Sequence, residues 1–311
     1  MGTRRQLDIP VARLPTQTSL SLPVCVVHGA TPGPRLWLSA AIHGDEANGI
    51  EIIRQVLEKI EAKKLKGTLI AVPIVNVFGF IDRSRYMPDR RDLNRSFPGS
   101  KRGSLASRLA SLFMREVVSQ CTHGIDLHTG TNHRTNLPQL RADLRDRETR
   151  RCALAFDAPV FFHARTRDGS LREAATERGI KVLLYEGGEA NRFNRRAIST
   201  GVKGVLRVMT ATGMGTFVRK NVLARRRGVE LADSRWVRAR RSGILRLTVE
   251  LASEVEEGEV LGTVSDAFGG KASEATAPCA GVVIARTKAP LVHQGDAIVC
   301  LGRRKQQRRK A

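Results

Sequence analysis

Two histidines and one glutamate stand directly after short apolar runs. His43 follows the run 38–42, Glu46 comes three residues later, and His128 ends the segment 124–128. Two imidazoles and one carboxylate, with a fourth position open to water, form a common ligand set of catalytic zinc sites. A tetrahedral site favours two donors from one short span and a third from a remote strand. The sequence therefore predicts one zinc ion per chain, held by His43, Glu46 and His128.

A zinc site that activates water also needs a group that accepts the proton. Glu186 directly follows the apolar run 182–185 and precedes two glycines, so it is the best candidate for this general base. The same group would later donate the proton to a leaving amine. Glu189, three residues further on, is the competing carboxylate.

Asn94 and Arg95 are candidates for binding a substrate carboxylate. A guanidinium group forms two parallel hydrogen bonds with a carboxylate, and an adjacent amide can orient its second oxygen. Arg85 could reach the same pocket and stabilise a tetrahedral oxyanion. Arg90 and Arg91 are rivals for this role that spacing alone does not eliminate.

Strands and helices alternate along the first two thirds of the sequence. Apolar runs of strand length are followed by segments in which apolar residues recur at helical spacing. This alternation predicts an α/β fold with a mixed β-sheet flanked by helices. The predicted strands cover 24–29, 36–42, 68–75, 124–127 and 180–185, with a turn at 31–34, and the predicted helices begin at Asp45 and cover 105–118, 168–179 and 195–212.

The sequence changes in character after about Val218. A charge-rich segment at 219–227 is followed by short strands joined by turns rich in Gly, Glu, Asp and Pro, which predicts a smaller all-β module. The module resembles the barrel-sandwich hybrid of biotinyl and lipoyl carrier domains. We therefore predict a catalytic domain at 1–218, an all-β domain at 219–302 and a basic, disordered tail at 303–311.

Composition limits the environment and the partners of the chain. The net charge of +23 over 311 residues should attract anions, and it leaves nucleic acid as a less favoured partner. The five cysteines form no Cys-x-x-Cys pair, which indicates reduced thiols and a cytoplasmic location. We expect no signal peptide and no membrane partner, because no apolar run is long enough for either. A homo-oligomer is compatible with the sequence.

Four motifs occur together in a fixed order. They are His43-Gly44-Asp45-Glu46, Asp92-Leu93-Asn94-Arg95 with Phe97-Pro98-Gly99, Asp126-Leu127-His128, and Glu186. Their order and spacing over residues 20–215 resemble the succinylglutamate desuccinylase/aspartoacylase family, whose members are related to zinc carboxypeptidases.

The resemblance implies a carboxypeptidase-like α/β domain with zinc on His43, Glu46 and His128. It further implies that Glu186 is the catalytic glutamate, that Asn94 and Arg95 bind a substrate carboxylate, and that Arg85 is the additional pocket arginine. The chain departs from the family in one respect. Aspartoacylases are expected to place a tyrosine of the C-terminal domain in the pocket, whereas Tyr86 and Tyr185 both precede that domain.

The function predicted from the sequence is hydrolysis of the amide bond of an N-acyl amino acid by a zinc-dependent deacylase. Its partner would be a small, acidic N-acyl amino acid. The alternative within enzymes is a zinc carboxypeptidase that acts on peptide C-termini, since Asn94 and Arg95 would bind an α-carboxylate equally well. The alternative outside enzymes is a basic protein that binds nucleic acid or other anions on a related scaffold.

Overall fold

A computed structural model describes residues 2–224 and 227–305 of the chain. The strands are β1 (Thr3–Arg13), β2 (Ser19–His28), β3 (Thr31–Ala40), β4 (Lys66–Val72), β5 (His123–Gly130), β6 (Arg134–Ala142), β7 (Val160–His163), β8 (Lys181–Glu189), β9 (Val229–Arg238), β10 (Gly243–Leu247), β11 (Glu254–Val255), β12 (Val260–Ser265), β13 (Ser273–Thr276), β14 (Gly281–Thr287), β15 (Leu291–Val292) and β16 (Ala297–Arg304). The α-helices are α1 (Asn48–Glu58), α2 (Val77–Ile81), α3 (Leu105–Glu116), α4 (Arg147–Phe156), α5 (Leu171–Thr176), α6 (Arg195–Ala211) and α7 (Lys220–Ala224), and short 3-10 helices cover Ala62–Lys64, Leu93–Arg95 and Val118–Gln120.

Most strands of the described chain belong to one sheet. Twelve of them follow the order β1-β2-β4-β3-β5-β8-β6-β7-β9-β16-β14-β11. Strands β4, β3, β5 and β8 pair with one another in the parallel sense, whereas the pairs β1–β2, β2–β4 and β8–β6 are antiparallel. The sheet is therefore mixed, as the sequence predicts, and the carboxyl ends of β3, β5 and β8 lie at one edge.

Helices cover both faces of the central strands. On one face, α1, α4 and α6 pack through apolar residues such as Ile53, Phe156 and Val205. On the other face, α3 and α5 pack around Trp37 and Phe113. The apolar residues that recur at helical spacing in α1, α3 and α6 point into these two cores, so burial explains why the segments are helical.

Strands from both parts of the chain close into a barrel. Strand β6 pairs with β7, β7 with β9, β9 with β16, β16 with β14, and β14 returns to β6. Leu137, Phe162, Leu231, Ile284 and Cys300 belong to the apolar cluster that these strands share. Strands β13, β12, β10 and β15 form a separate small sheet. The boundary at residue 218 stays a prediction, and hydrogen-bonded strands connect the segments on its two sides.

Several elements differ from the sequence prediction. The predicted turn at 31–34 belongs to β3, and the helix predicted to begin at Asp45 is α1, which starts at Asn48. Helix α5 begins at Leu171 because the Ser170 side chain accepts a hydrogen bond from the Glu173 amide and caps it there. Strands β1, β6 and β7 and helix α4 were not predicted.

The charge-rich segment at 219–227 and the predicted tail also contain regular structure. The charge-rich segment includes α7, and residues 225 and 226 lie outside the described part. Arg303 and Arg304 extend β16, so the predicted tail overlaps a strand, and its residues 306–311 also lie outside the described part. Within residues 2–224 and 227–305, no helix combines the length and apolarity needed to cross a membrane.

Candidate active site

His43 lies in the loop that leaves the carboxyl end of β3. Ala41 has a φ of 49°, which turns the chain sharply after the strand, and its carbonyl accepts a hydrogen bond from the Asn76 amide. Gly44 then passes so close to helix α2 that a Cβ atom there would lie 1.9 Å from the backbone of Gly79. The loop can take this path only because residue 44 has no side chain.

Glu46 precedes α1 and joins the two histidines. One carboxylate oxygen, Oε1, is 2.7 Å from His43 Nδ1, and the other, Oε2, is 2.9 Å from His128 Nδ1. The Thr129 amide also donates to Oε2, at 3.0 Å. All three proposed ligands are buried, and their donor atoms lie within 4.8 Å of one another. The structure thus brings together the three residues that the sequence separates into a near pair and a distant third.

The donor set fits a divalent cation such as zinc. In each histidine, Nδ1 faces the shared site while Nε2 contacts a further carboxylate, Asp92 at 3.2 Å for His43 and Asp126 at 2.8 Å for His128. Metal-binding histidines usually donate their second N–H in this way, which orients the ring and increases its basicity. Asp126 is itself fixed by the hydroxyl of Ser39, at 2.8 Å.

The charges of these groups also favour a bound cation. Burial lowers the pKa of His128, but the carboxylates of Asp126 and Glu46 outweigh burial and hold this pKa well above its usual value. Burial raises the pKa of Glu46, whereas His43 and His128 lower it, and the net shift is downward. The centre of the site is therefore a carboxylate anion, and the carboxylates around the His128 ring favour a positive charge at that ring.

Glu186 lies near the carboxyl end of β8, in register with His128 on β5. Its Oε2 accepts a hydrogen bond of 2.7 Å from the Asn136 amide, and its Oε1 is 3.3 Å from Arg141 Nη1. The rival Glu189 points elsewhere: its carboxylate pairs with Lys288 at 2.9 Å and with Arg192 at 3.2 Å.

Asn48, the first residue of α1, fixes the segment after Glu186. Its side-chain amide donates to the Gly187 carbonyl at 3.1 Å and accepts from the Asn194 amide at 2.9 Å. This buried residue lies two positions after Glu46. The start of α1 therefore positions one proposed metal ligand and the backbone next to the proposed general base.

The three predicted substrate-binding residues line the same cavity, although their own contacts differ. Arg85 pairs with Asp92 at 2.8 Å and lies 3.8 Å from Glu46. Asn94 is buried, and its side-chain oxygen accepts a hydrogen bond from the Leu171 amide at 2.9 Å. That bond orients the Asn94 amide group, whereas the side chain of Arg95 contacts the carbonyl of residue 94 and is exposed.

A cavity of about 700 Å³ connects these groups. Residues from strands after position 228, including Ser234, Trp236 and Cys300, form part of its wall. The guanidinium of Arg134 stacks on the Trp236 ring at 5.0 Å. Sequence reasoning missed these residues and a further group on β6 and in the loop after β7. That group is Asn136, Gln139, Arg141 and Arg167.

The fold and the arrangement of this site match a known protein family. The succinylglutamate desuccinylase/aspartoacylase catalytic domain matches residues 32–212 of the chain. The chain therefore belongs to the succinylglutamate desuccinylase/aspartoacylase family, as its motifs indicate, and members of this family are amide hydrolases such as deacetylases and desuccinylases.

Individual relatives extend the similarity beyond that domain. The chain is 29% identical to the N-alpha-acetyl-L-2,4-diaminobutyric acid deacetylase of Halomonas elongata over 294 residues, which cover 91% of this chain and 86% of that protein. The product-bound structure of the ectoine utilization protein EutE (DoeB) from Ruegeria pomeroyi is similar with a TM-score of 0.87 and 25% identity, covering 97% of this chain and 95% of that one. A succinylglutamate desuccinylase/aspartoacylase from Rhodobacter sphaeroides gives a TM-score of 0.85 at 25% identity, with 98% and 96% covered.

Proposed function

We propose that this chain is a zinc-dependent hydrolase that cleaves the amide bond of an N-acyl amino acid. The observation that carries the proposal is the trio His43, Glu46 and His128, whose donor atoms lie within 4.8 Å of one another in the cavity that also contains Glu186. Zinc bound to this trio would lower the pKa of water and polarise the substrate carbonyl.

The other residues of the cavity would carry the remaining steps. Glu186 would take the proton of the attacking water and return it to the leaving amine, so the products are a free amino acid and a carboxylic acid. Asn94 and Arg95 would hold the amino acid carboxylate. Arg85, fixed by Asp92, would stabilise the negative charge that develops on the carbonyl oxygen.

The charge of the cavity supports an acidic substrate. Burial lowers the pKa of the Arg167 guanidinium, and the nearby cations Arg141 and Arg95 lower it further. Within the described residues, neither Arg95 nor Arg167 forms an ion pair with a carboxylate. A substrate with a second acid group, in the acyl chain or the amino acid side chain, would relieve this repulsion. Residues from both sides of position 218 form the wall of the cavity. A cavity lined in this way favours a small substrate over a peptide.

Metal analysis and a substrate panel test the proposal directly. Protein purified without chelator should contain about one zinc per chain, and His128→Ala should lose it. Release of free amine should then be compared for N-succinylglutamate, an N-acylaspartate, N-α-acetyl-L-2,4-diaminobutyrate and a short peptide. We expect N-succinylglutamate and the N-acylaspartate, which carry more than one carboxylate, to be hydrolysed fastest. A metal-free protein that hydrolyses them, or zinc protein that releases amine from the peptide alone, would contradict the proposal.

Replacement of Glu186 tests the proposed general base. Glu186→Ala should lower kcat by roughly 10²–10⁴-fold, because removal of a proton-transfer group costs that much, while zinc content and fold persist. Glu189→Ala is the matched control, since its carboxylate pairs with Lys288 and Arg192. Amine release, zinc content and circular dichroism should be measured on both variants. Equal losses of kcat in the two variants would exclude a special role for Glu186.

A further inference from the structure

Strand β6 presents three polar residues to the cavity in front of Glu186. They are Asn136, Gln139 and Arg141. In a regular strand, residues three apart point to opposite faces. The pairing between β6 and β8 shifts between Asn136 and Gln139, because Asn136 lies opposite Gly188 while Gln139 lies opposite Glu186. The shift adds one residue to β6 between these two positions, which reverses the alternation of side chains once. Residues 136, 139 and 141 therefore all reach the same cavity.

Two of these side chains hold the carboxylate of Glu186 between them. Asn136 Nδ2 donates to Oε2 at 2.7 Å, and Arg141 Nη1 lies 3.3 Å from Oε1. The Glu186 side chain is 14% exposed, so little water competes for either oxygen. With one neutral donor and one cation on separate oxygens, the carboxylate has a fixed orientation toward the cavity.

Arg141 is itself constrained. Its guanidinium lies 5.8 Å from the centre of the Phe162 ring, on the neighbouring strand β7. Strand β7 also belongs to the closed barrel, so the position of Arg141 depends on the packing of both parts of the chain. A side chain held in this way can position a neighbour more precisely than a free surface arginine can.

We infer that Arg141 is a positioning residue of the reaction, which acts through Glu186 together with Asn136. The inference rests on the proposed function, in which Glu186 moves the proton. Arg141 contacts one carboxylate oxygen of Glu186 while Asn136 holds the other, and together they fix the direction from which the carboxylate approaches water. Misplacement of a reacting group by about 1 Å can cost on the order of 100-fold in rate.

The competing role for Arg141 is direct binding of a substrate acid group. The two roles differ in kinetic parameters. Arg141→Met should lower kcat by about 10- to 100-fold and change KM by less than about 3-fold if the arginine acts through Glu186. Arg141→Lys should recover about 3- to 10-fold of the lost kcat, because it restores the cation without the planar guanidinium. Zinc content should stay at the wild-type value in both variants, which separates this effect from loss of metal.

A double-mutant cycle with Glu186→Ala decides between the roles. If Arg141 acts only through Glu186, adding Arg141→Met to Glu186→Ala should change the residual kcat/KM by less than about 2-fold. If Arg141 binds the substrate, the second substitution should raise KM in the Glu186→Ala background as well, and this result would overturn the inference. Arg165→Met, an exposed arginine at the rim of the cavity, controls for general loss of positive charge.

The outcomes also separate this inference from the function on which it rests. A wild-type protein that releases amine from no member of the substrate panel would overturn the proposed function and the inference together. An active wild-type protein whose kcat is unchanged in Arg141→Met would overturn the inference alone. A large loss of kcat in Arg141→Met, partial recovery with lysine and no further loss in the double variant would support it.

Discussion

In each histidine of the proposed metal site, the ring nitrogen Nε2 contacts a further carboxylate, Asp92 for His43 and Asp126 for His128. His128 is the better supported of the two, because its Nε2 lies 2.8 Å from Asp126 and the hydroxyl of Ser39 fixes that carboxylate in turn. The indole N–H of Trp37 donates to Ser39 at 3.2 Å, so the chain of contacts reaches the apolar core. The orientation of His128 therefore depends on the contacts that connect Asp126 through Ser39 to Trp37 on one side and on Glu46 on the other.

Asp126→Asn should weaken metal binding by about 10- to 100-fold, since partners of metal-binding histidines typically contribute this much. Competition with a chelator of known zinc affinity measures the change. Glu148→Gln is the matched control, because Glu148 contacts His123 at 3.3 Å in a cluster separate from the trio and is already paired with Arg151. If zinc affinity fell equally in both variants, the Asp126 contact would have no specific role.

Residue types and spacing predicted that the trio and Glu186 belong to one site, because these residues follow the apolar ends of strands, where side chains of parallel strands converge. Asn136 and Arg141 gave no such signal. They lie inside a strand that was not predicted, and Arg141 is one basic residue among the 53 of the chain. Trp236 could not be placed either, because its contact with the cavity depends on how distant strands close into a barrel.

At the scale of elements, the turn between β3 and α1 determines the position of two proposed ligands. The turn depends on contact between two backbones, because a Cβ at Gly44 would overlap the main chain of Gly79 and Phe80. Backbone atoms cannot move aside as a flexible side chain can. The glycine is needed here for close approach, so a larger residue would displace either the turn or α2.

Gly44→Ala should therefore destabilise the protein by about 1–3 kcal/mol, the usual cost of overpacking, and should reduce its zinc content. Gly213→Ala is the control, since its Cβ would meet no atom within 4 Å while its φ of 83° still disfavours alanine. Urea unfolding gives the free-energy change, and elemental analysis gives the zinc content. Retention of zinc in Gly44→Ala, with a stability loss no greater than in Gly213→Ala, would contradict this view of the turn.

Periodicity predicted the long helices well, since α1, α3 and α6 each bury one apolar face against the sheet. It failed for β1, whose residues are mostly exposed and include Pro10, because an edge strand with one partner needs little apolar surface. It also failed for β6, in which Asn136 and Gln139 are buried polar residues that interrupt the apolar pattern. Strand β6, which the sequence did not predict, provides the residues Asn136 and Arg141 that contact the proposed general base, Glu186.

At the scale of the whole molecule, the two parts of the chain share one hydrogen-bonded system. The change in composition after Val218 was visible in the sequence, but the pairing of β7 with β9 and of β6 with β14 was not. Strand pairing between distant segments depends on the three-dimensional path of the chain, which local patterns do not encode. The consequence concerns stability, because a barrel built from both parts cannot lose one part and remain closed.

We therefore expect the full chain to unfold in one cooperative thermal transition. A chain that ends at residue 227 would lack β9, β14 and β16, and it would expose the barrel residues Leu137, Val160 and Phe162 to water. Such a chain should aggregate or lose its transition, whereas a chain that ends at residue 305 keeps all the described strands and should melt as the full chain does. Calorimetry and light scattering distinguish these cases. Two separate transitions in the full chain, together with a soluble 1–227 fragment that binds zinc and hydrolyses substrate, would mean that the barrel does not couple the two parts.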